Sequence, residues 1–173
     1  MTPPPTLSHD EIARRIPHQG DMCLLDAVSA WDDTRIQCLA TSHRAPSNPL
    51  RAQGRLGAAC GVEYAAQAMA VHGALVGESL AGGGDAGAAP RAGYLASIRS
   101  VSLHVDRLDT LAAPLLISAE RITGDSNTVL YSFSLTAGDT ALISGRAVVV
   151  LDASALALPA GTPARPMFPG EHP

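Results

Sequence analysis

The feature that most constrains the fold is a single apolar segment near the middle of the chain. Residues 56–76 are apolar almost throughout, and the main interruptions are Glu63, Gln67 and His72. An ionisable carboxyl group at bilayer depth is costly. We therefore expect a helix over residues 57–76 that is buried in a protein core rather than in a membrane.

Runs with strand character surround this helix in the sequence. Upstream, two runs separated by the turn signal Asp32-Asp33 predict a hairpin over residues 22–31 and 34–41. Downstream, apolar and polar residues alternate, and Gly- and Asp-containing turns divide the pattern. This predicts a meander of four further strands, at residues 94–105, 115–122, 128–135 and 141–151.

Shorter elements connect these runs. Ser8 and Glu11 have the spacing of a capping box, which predicts a short helix over residues 10–16 that Pro17 ends. Two prolines and many polar residues predict a loop at residues 42–55, and a Gly- and Ala-rich stretch predicts a surface loop at residues 77–93.

The order of elements indicates an α+β domain in which a curved antiparallel sheet wraps around one long central helix. A helix that is apolar on nearly every side needs such a cover, and this architecture is the hot-dog fold. We predict that the domain covers residues 8–152, after a disordered arm at residues 1–7. The Ala- and Pro-rich residues 153–173 lack any period and predict a disordered tail. Because the sheet edge and helix flank of this fold stay apolar, we expect a dimer.

Composition narrows the function classes. The net charge of −4 argues against non-specific binding of nucleic acid. The N-terminal residues lack a signal peptide, and the cysteines Cys23, Cys38 and Cys60 form no CxxC motif, which predicts buried free thiols in a reducing cytoplasm. No pair of histidines has the spacing of metal ligands, so we expect neither a metal nor a cofactor.

Glu63 and Gln67 are the two polar residues of the predicted helix that could take part in a reaction. They lie one helical turn apart on one face. Among apolar neighbours the carboxyl group should favour its neutral form, which a general acid requires. A purely structural pairing with Gln67 or an arginine is equally compatible with the sequence. His43 and His18 lie in loops, where histidines are usually surface residues, and His72 is placed to cap the far end of the helix.

Three segments resemble the hot-dog 3-hydroxyacyl-acyl-carrier-protein dehydratases. The run Ile-Pro-His-Gln-Gly-Asp-Met-Cys-Leu-Leu-Asp-Ala-Val at residues 16–28 is similar to the opening of that family, which contains Leu-Pro-His and then Leu-Leu/Val-Asp-Arg-Val. Residues 43–49 resemble its His-Phe-Pro-Gly-x-Pro loop, and residues 63–68 match its Glu-x-x-Ala-Gln helix. Residues 61–70 and 93–99 look most like the divergent dehydratases of aryl-polyene gene clusters.

The resemblance implies a site shared between two subunits. His43 of one subunit would remove the proton at C2 of the acyl chain, and Glu63 of the other would protonate the departing C3 hydroxyl. Gln67 would orient Glu63. Backbone N–H groups of Gly57, Ala58 and Ala59, at the helix start, would hold the thioester oxygen. His18, the histidine of the opening motif, would also bind the substrate.

The implied substrate is a thioester of acyl carrier protein or coenzyme A, and the implied assembly is a homodimer or a homologous heteromer, with neither nucleic acid nor membrane as a partner. Binding of an acidic carrier protein would need arginines near the opening through which the acyl chain enters. The candidates are Arg51, Arg55, Arg91 and Arg99.

Two alternatives stay open. In a thioesterase, Glu63 would activate water or attack the thioester. In a non-catalytic subunit, the chain would bind acyl groups for an active homologue. The sequence has Arg44 where the family has Phe, and 20 positions separate His43 from Glu63, which exceeds the family spacing.

Overall fold

The computed structural model describes residues 7–82 and 93–151, and within these ranges the predicted hot-dog architecture is confirmed. A seven-stranded antiparallel sheet curves around one long helix. In chain order the elements are β1 (Leu7–Ser8), α1 (His9–Ala13), β2 (Ala27–Trp31), β3 (Arg35–Ala40), α2 (Gly61–Leu80), β4 (Tyr94–Leu103), β5 (Leu115–Gly124), β6 (Thr128–Ala137) and β7 (Thr140–Val150). Short 3₁₀ turns cover Gly20–Met22, Ser42–Arg44 and Ala58–Cys60.

The strand order across the sheet is β1-β2-β3-β5-β6-β7-β4. Strands β5, β6 and β7 form a meander as predicted, but the inclusion of β4 in that meander is wrong. Strand β3 pairs with β2 on one side and with β5 on the other, which leaves no place for β4 beside it. The chain that leaves α2 therefore adds β4 at the far edge of the sheet, against β7.

The central helix α2 packs its apolar side chains on the concave face of the sheet. Tyr64, Met69 and Val71 are almost completely buried, and each fully buried apolar side chain of this size contributes about 1.5–3 kcal/mol. Gly61 permits the close approach of the helix, since a Cβ there would lie 3.1 Å from Leu135 Cδ2 and 3.2 Å from Ile143 Cγ2.

Three predicted helix boundaries differ from the observed ones. Helix α2 begins at Gly61 instead of residue 57, because Ala58–Cys60 forms a 3₁₀ turn whose first N–H donates to the Asp106 carbonyl oxygen at 3.0 Å. It ends at Leu80, inside the predicted loop. Helix α1 ends at Ala13 instead of residue 16.

The N-terminal boundary also needs a correction. Leu7, predicted in the disordered arm, is buried and pairs with Val28 in the sheet. The remaining arm, the predicted tail and most of the predicted loop at residues 77–93 lie outside the described residues. Cys60 is partly exposed, whereas the other two cysteines are buried as predicted. None of the described helices combines the length and hydropathy that a membrane crossing requires.

The edge strand β4 presents apolar side chains that the described parts of the chain leave partly exposed. Leu95, Ile98, Val101 and Leu103 are 38–50% exposed. Leu95, Ile98 and Leu103 lie opposite buried residues of β7, so they continue the core face of the sheet beyond the reach of α2.

Candidate active site

Gln67 holds the predicted carboxyl group in place. Its side chain is completely buried on α2. The amide oxygen accepts the Leu24 N–H at 2.9 Å, and the amide nitrogen donates to the Met22 carbonyl oxygen at 2.8 Å and to Glu63 Oε1 at 3.0 Å. These bonds keep residues 22–24 on the helix, which is why β2 begins at Ala27 and not at the predicted residue 22.

His18 is the imidazole that lies beside this carboxyl group. Its Nε2 is 3.1 Å from Glu63 Oε1, and the two side chains are 29% and 31% exposed. The sequence predicted a buried Glu63, whereas one-third of its side chain faces solvent in this chain. Because both contacts are made to Oε1, the other carboxyl oxygen is the one that can face a ligand.

The turn that carries His18 is anchored to the end of α1. Gln19 Nε2 donates to the carbonyl oxygens of Ala13 at 2.8 Å and of Ile16 at 3.3 Å. The Nδ1 atom of His18 is buried and has no hydrogen-bond partner among the described residues. The sequence placed His18 near the substrate but gave no signal of its contact with Glu63.

His43 occupies a different environment. The ring is completely buried, and Nε2 donates to the Leu111 carbonyl oxygen at 3.1 Å. Burial lowers the pKa of His43. The next residue, Arg44, donates from Nη1 to the Ala112 carbonyl oxygen at 2.9 Å, so the whole turn is docked on residues 111–112. Within one chain His43 makes no hydrogen bond to Glu63, and the predicted contact between subunits stays a prediction.

An arginine clamp fixes the loop that contains His43. Arg51 contacts Asp109 at 3.3 Å, and Arg107 holds the same carboxylate with two hydrogen bonds. These bonds to Arg107 hold the pKa of Asp109 well below its usual range. The Arg51 guanidinium also donates to backbone oxygens of the loop, at residues 43, 44, 45 and 54. Arg51 is therefore committed internally and is not a free docking residue. Arg55 and Arg99 are exposed, and Arg91 lies outside the described residues.

A cavity of about 420 Å³ opens at the predicted oxyanion site. Its lining includes Gly57, Ala58 and Ala59 at the helix start and residues 103–106 at the end of β4. The N–H of Ala58 already donates to the Asp106 carbonyl oxygen, whereas Ala59 is exposed. The Ala58 N–H is therefore already used, and Ala59 is the most exposed of the three predicted residues.

His72 does not cap the helix as predicted. It is completely buried, with Nδ1 2.8 Å from the Tyr131 hydroxyl and Nε2 2.8 Å from the Asp32 carbonyl oxygen. Helix α2 ends two turns later, at Leu80, with Ala81 as its C-cap. His72 therefore ties the helix to the sheet and to the β2–β3 turn.

A long apolar helix inside a curved antiparallel sheet, with a polar site at the helix start, defines a hot-dog protein. The chain belongs to the ApeP-like family, described as ApeP dehydratase, whose profile matches residues 10–157. The dehydratase prediction from sequence is confirmed by this membership. No curated protein sequence shows a significant match.

Solved structures are similar in fold. The dehydratase heterocomplex ApeI:P from Xenorhabdus doucetiae matches with a TM-score of 0.70 and 23% identity, over 82% of this chain and 90% of that chain. A hypothetical thioesterase with coenzyme A from Streptococcus pneumoniae matches with a TM-score of 0.50 and 11% identity, over 72% and 84% of the two chains. AziG from S. sahachiroi matches with a TM-score of 0.51 and 9% identity, over 72% and 88%.

Proposed function

We propose that this chain dehydrates a 3-hydroxyacyl thioester to a 2-enoyl thioester in polyene or fatty-acid biosynthesis, with Glu63 as the acid. The observation that carries the proposal is the Glu63 carboxyl group, which is held on one oxygen by Gln67 and His18 and is partly open on the other side. Family membership supports the reaction type.

The chemistry needs a base, an acid and a donor for the thioester oxygen. An imidazole removes the proton at C2, and the electron pair of that bond forms the C2–C3 double bond. The C3–O bond breaks, and Glu63 protonates the departing hydroxyl so that it leaves as water. Negative charge that builds on the thioester oxygen is stabilised by the backbone N–H of the exposed residue Ala59, near the positive end of the α2 dipole.

A second hot-dog subunit is part of the proposal. The uncovered apolar side chains of β4 call for a partner that continues the core across the sheet edge. A relative of similar fold is a subunit of a heterocomplex, which supports a homologous partner as well as a second copy of this chain. The β4 surface is compatible with either.

The substrate carrier is a phosphopantetheine thioester on acyl carrier protein or coenzyme A. Acyl carrier proteins are acidic, and the exposed Arg55 and Arg99 remain available to meet them. We place this reaction in the cytoplasm.

Product analysis tests the proposal. The full chain, alone and co-expressed with a homologous hot-dog subunit, is incubated with a 3-hydroxyacyl pantetheine thioester, and enoyl product and free thiol are both followed. In the co-expressed sample the homologue carries a substitution of its own acidic residue. Enoyl formation without free thiol supports the proposal. Free thiol identifies a thioesterase, and neither product identifies a non-catalytic subunit, so both results contradict the proposal.

A further inference from the structure

The geometry points to His18, in the same chain as Glu63, as the base that removes the C2 proton, with His43 in a structural role. The inference rests on the proposed dehydration and assigns the base of that same site. His18 then takes the role that the family resemblance gives to His43 of a second subunit, and it lies in the same chain as Glu63.

The first argument is distance and access. In one dehydration step the base acts on C2 and the acid on the oxygen at C3, which are neighbouring positions of the acyl chain. The two groups must therefore lie within a few ångströms of each other, and His18 Nε2 and Glu63 Oε1 are 3.1 Å apart. Both side chains are about one-third exposed, so neither is closed off from a substrate.

The second argument is the commitment of His43. Its ring is completely buried, and Nε2 is used by the Leu111 carbonyl oxygen. The Nδ1 atom is also buried, without a hydrogen-bond partner in the described part of the chain. Arg51 Nη2 further donates to the His43 carbonyl oxygen, at 3.3 Å. The Leu111 bond leaves the lone pair on Nδ1, but Nδ1 is buried in this chain, so the ring would have to move out of this pocket before Nδ1 could meet an acyl chain.

The contact with Glu63 also resets the site after each turnover. The pair holds one transferable proton, which forms the hydrogen bond between Nε2 and Oε1 before the substrate binds. For the reaction this proton must be on Glu63, with the Nε2 lone pair of His18 facing C2 and a hydrogen on Nδ1. After elimination, the C2 proton is on Nε2, and Glu63 is a carboxylate because its proton has left in the water. This is again the hydrogen-bonded pair of Nε2 and Oε1 with one transferable proton, so the cycle needs no external acid or base.

The test compares the same substitution at three histidines. His18→Gln removes the base, His43→Gln changes the buried ring, and His9→Gln is the matched control on α1. His9 is exposed, and its bonds to described residues are those to the Leu25 carbonyl oxygen and the nearby Cys23 thiol. Two rates are measured on each full-length variant: enoyl formation from a 3-hydroxyacyl pantetheine thioester, and exchange of the C2 hydrogens of hexanoyl pantetheine thioester in deuterated water.

We expect His18→Gln to lose both rates by roughly 10²–10⁴-fold. The Tm should stay close to that of the wild type, because the side chain is partly exposed. His43→Gln should lower the Tm, with a much smaller loss of either rate per folded molecule. The control should keep both rates. If His18→Gln does not fold, His18→Asn takes its place.

The outcomes separate the two proposals. Loss of exchange and elimination in His43→Gln, but not in His18→Gln, overturns the assignment of the base and leaves dehydration standing. Wild-type protein that exchanges C2 hydrogens only through His18, without forming enoyl product, supports the base and overturns the proposed function. Wild-type protein that does neither overturns both.

Discussion

Replacement of Gln67 by methionine should destabilise the protein through two backbone groups. Methionine keeps the length and apolar fit of the side chain but loses the bonds to the Leu24 N–H and the Met22 carbonyl oxygen. An unsatisfied buried group costs about 1–3 kcal/mol. The Leu24 bond is buried, whereas water can partly replace the Met22 bond, which is only part-buried. We therefore expect a loss of about 2–4 kcal/mol in the free energy of unfolding.

Urea unfolding at one fixed protein concentration measures this loss, because association also stabilises the folded chain. The exposed Gln37 provides the matched control, and its change to methionine should stay within about 0.5 kcal/mol of the wild type. Gln67→Glu adds a second test. It keeps an acceptor for the Leu24 N–H but places a carboxylate beside Glu63, so its penalty should shrink on acidification as the carboxylates are protonated.

The reasoning fails if Gln67→Met unfolds within about 0.5 kcal/mol of the wild type. It also fails if the Gln67→Glu penalty is independent of pH. Either result would mean that the amide does not fix residues 22–24 and Glu63 as the structure indicates.

Three further predictions concern the edge strand, the buried histidines and a close contact in the sheet. Ile98→Lys on β4 should lower the mass measured by sedimentation while far-UV circular dichroism stays unchanged, and an unchanged mass would exclude β4 from the interface. Burial lowers the pKa values of His43 and His72, so the unfolded chain binds protons first as pH falls below 6.5. Stability should then decrease by up to about 1.4 kcal/mol per pH unit for each histidine, and a flat Tm between about pH 8 and about pH 5.5 would contradict this. Gly145→Ala would put a Cβ 2.8 Å from Phe133 Cζ, so we expect a loss of about 1–3 kcal/mol in urea unfolding that Phe133→Leu partly relieves, and a neutral result would refute the overpacking.

Local pattern was sufficient to predict the main elements. The apolar segment predicted α2, and alternation predicted β6, in which Val129, Tyr131, Phe133 and Leu135 are buried in turn. These signals depend on neighbours in sequence, so they can be read directly from it.

Features that depend on contacts between distant segments could not be predicted from such local patterns. The place of β4 at the sheet edge depends on which side of β3 is already occupied. The late start of β2 depends on the side chain of Gln67, which lies more than 40 positions away in the sequence.

The candidate site was predicted in part for the same reason. The Glu63–Gln67 pair lies on one helix and follows from its spacing, and its hydrogen bond is present. The contact of His18 with Glu63 joins segments that are far apart in sequence. Similarity to a family motif predicted His43 as the base, but a sequence motif does not show whether a side chain is buried.

The rate of enoyl formation by Glu63→Gln, relative to the wild type at equal protein concentration, tests the central claim most directly. Glutamine has nearly the same shape and can still bond Gln67, but it cannot donate an acidic proton. We predict a fall of roughly 10²–10⁴-fold in the single-turnover rate, with the substrate still bound. A variant that forms enoyl product within about threefold of the wild-type rate would contradict the role of Glu63 as the acid.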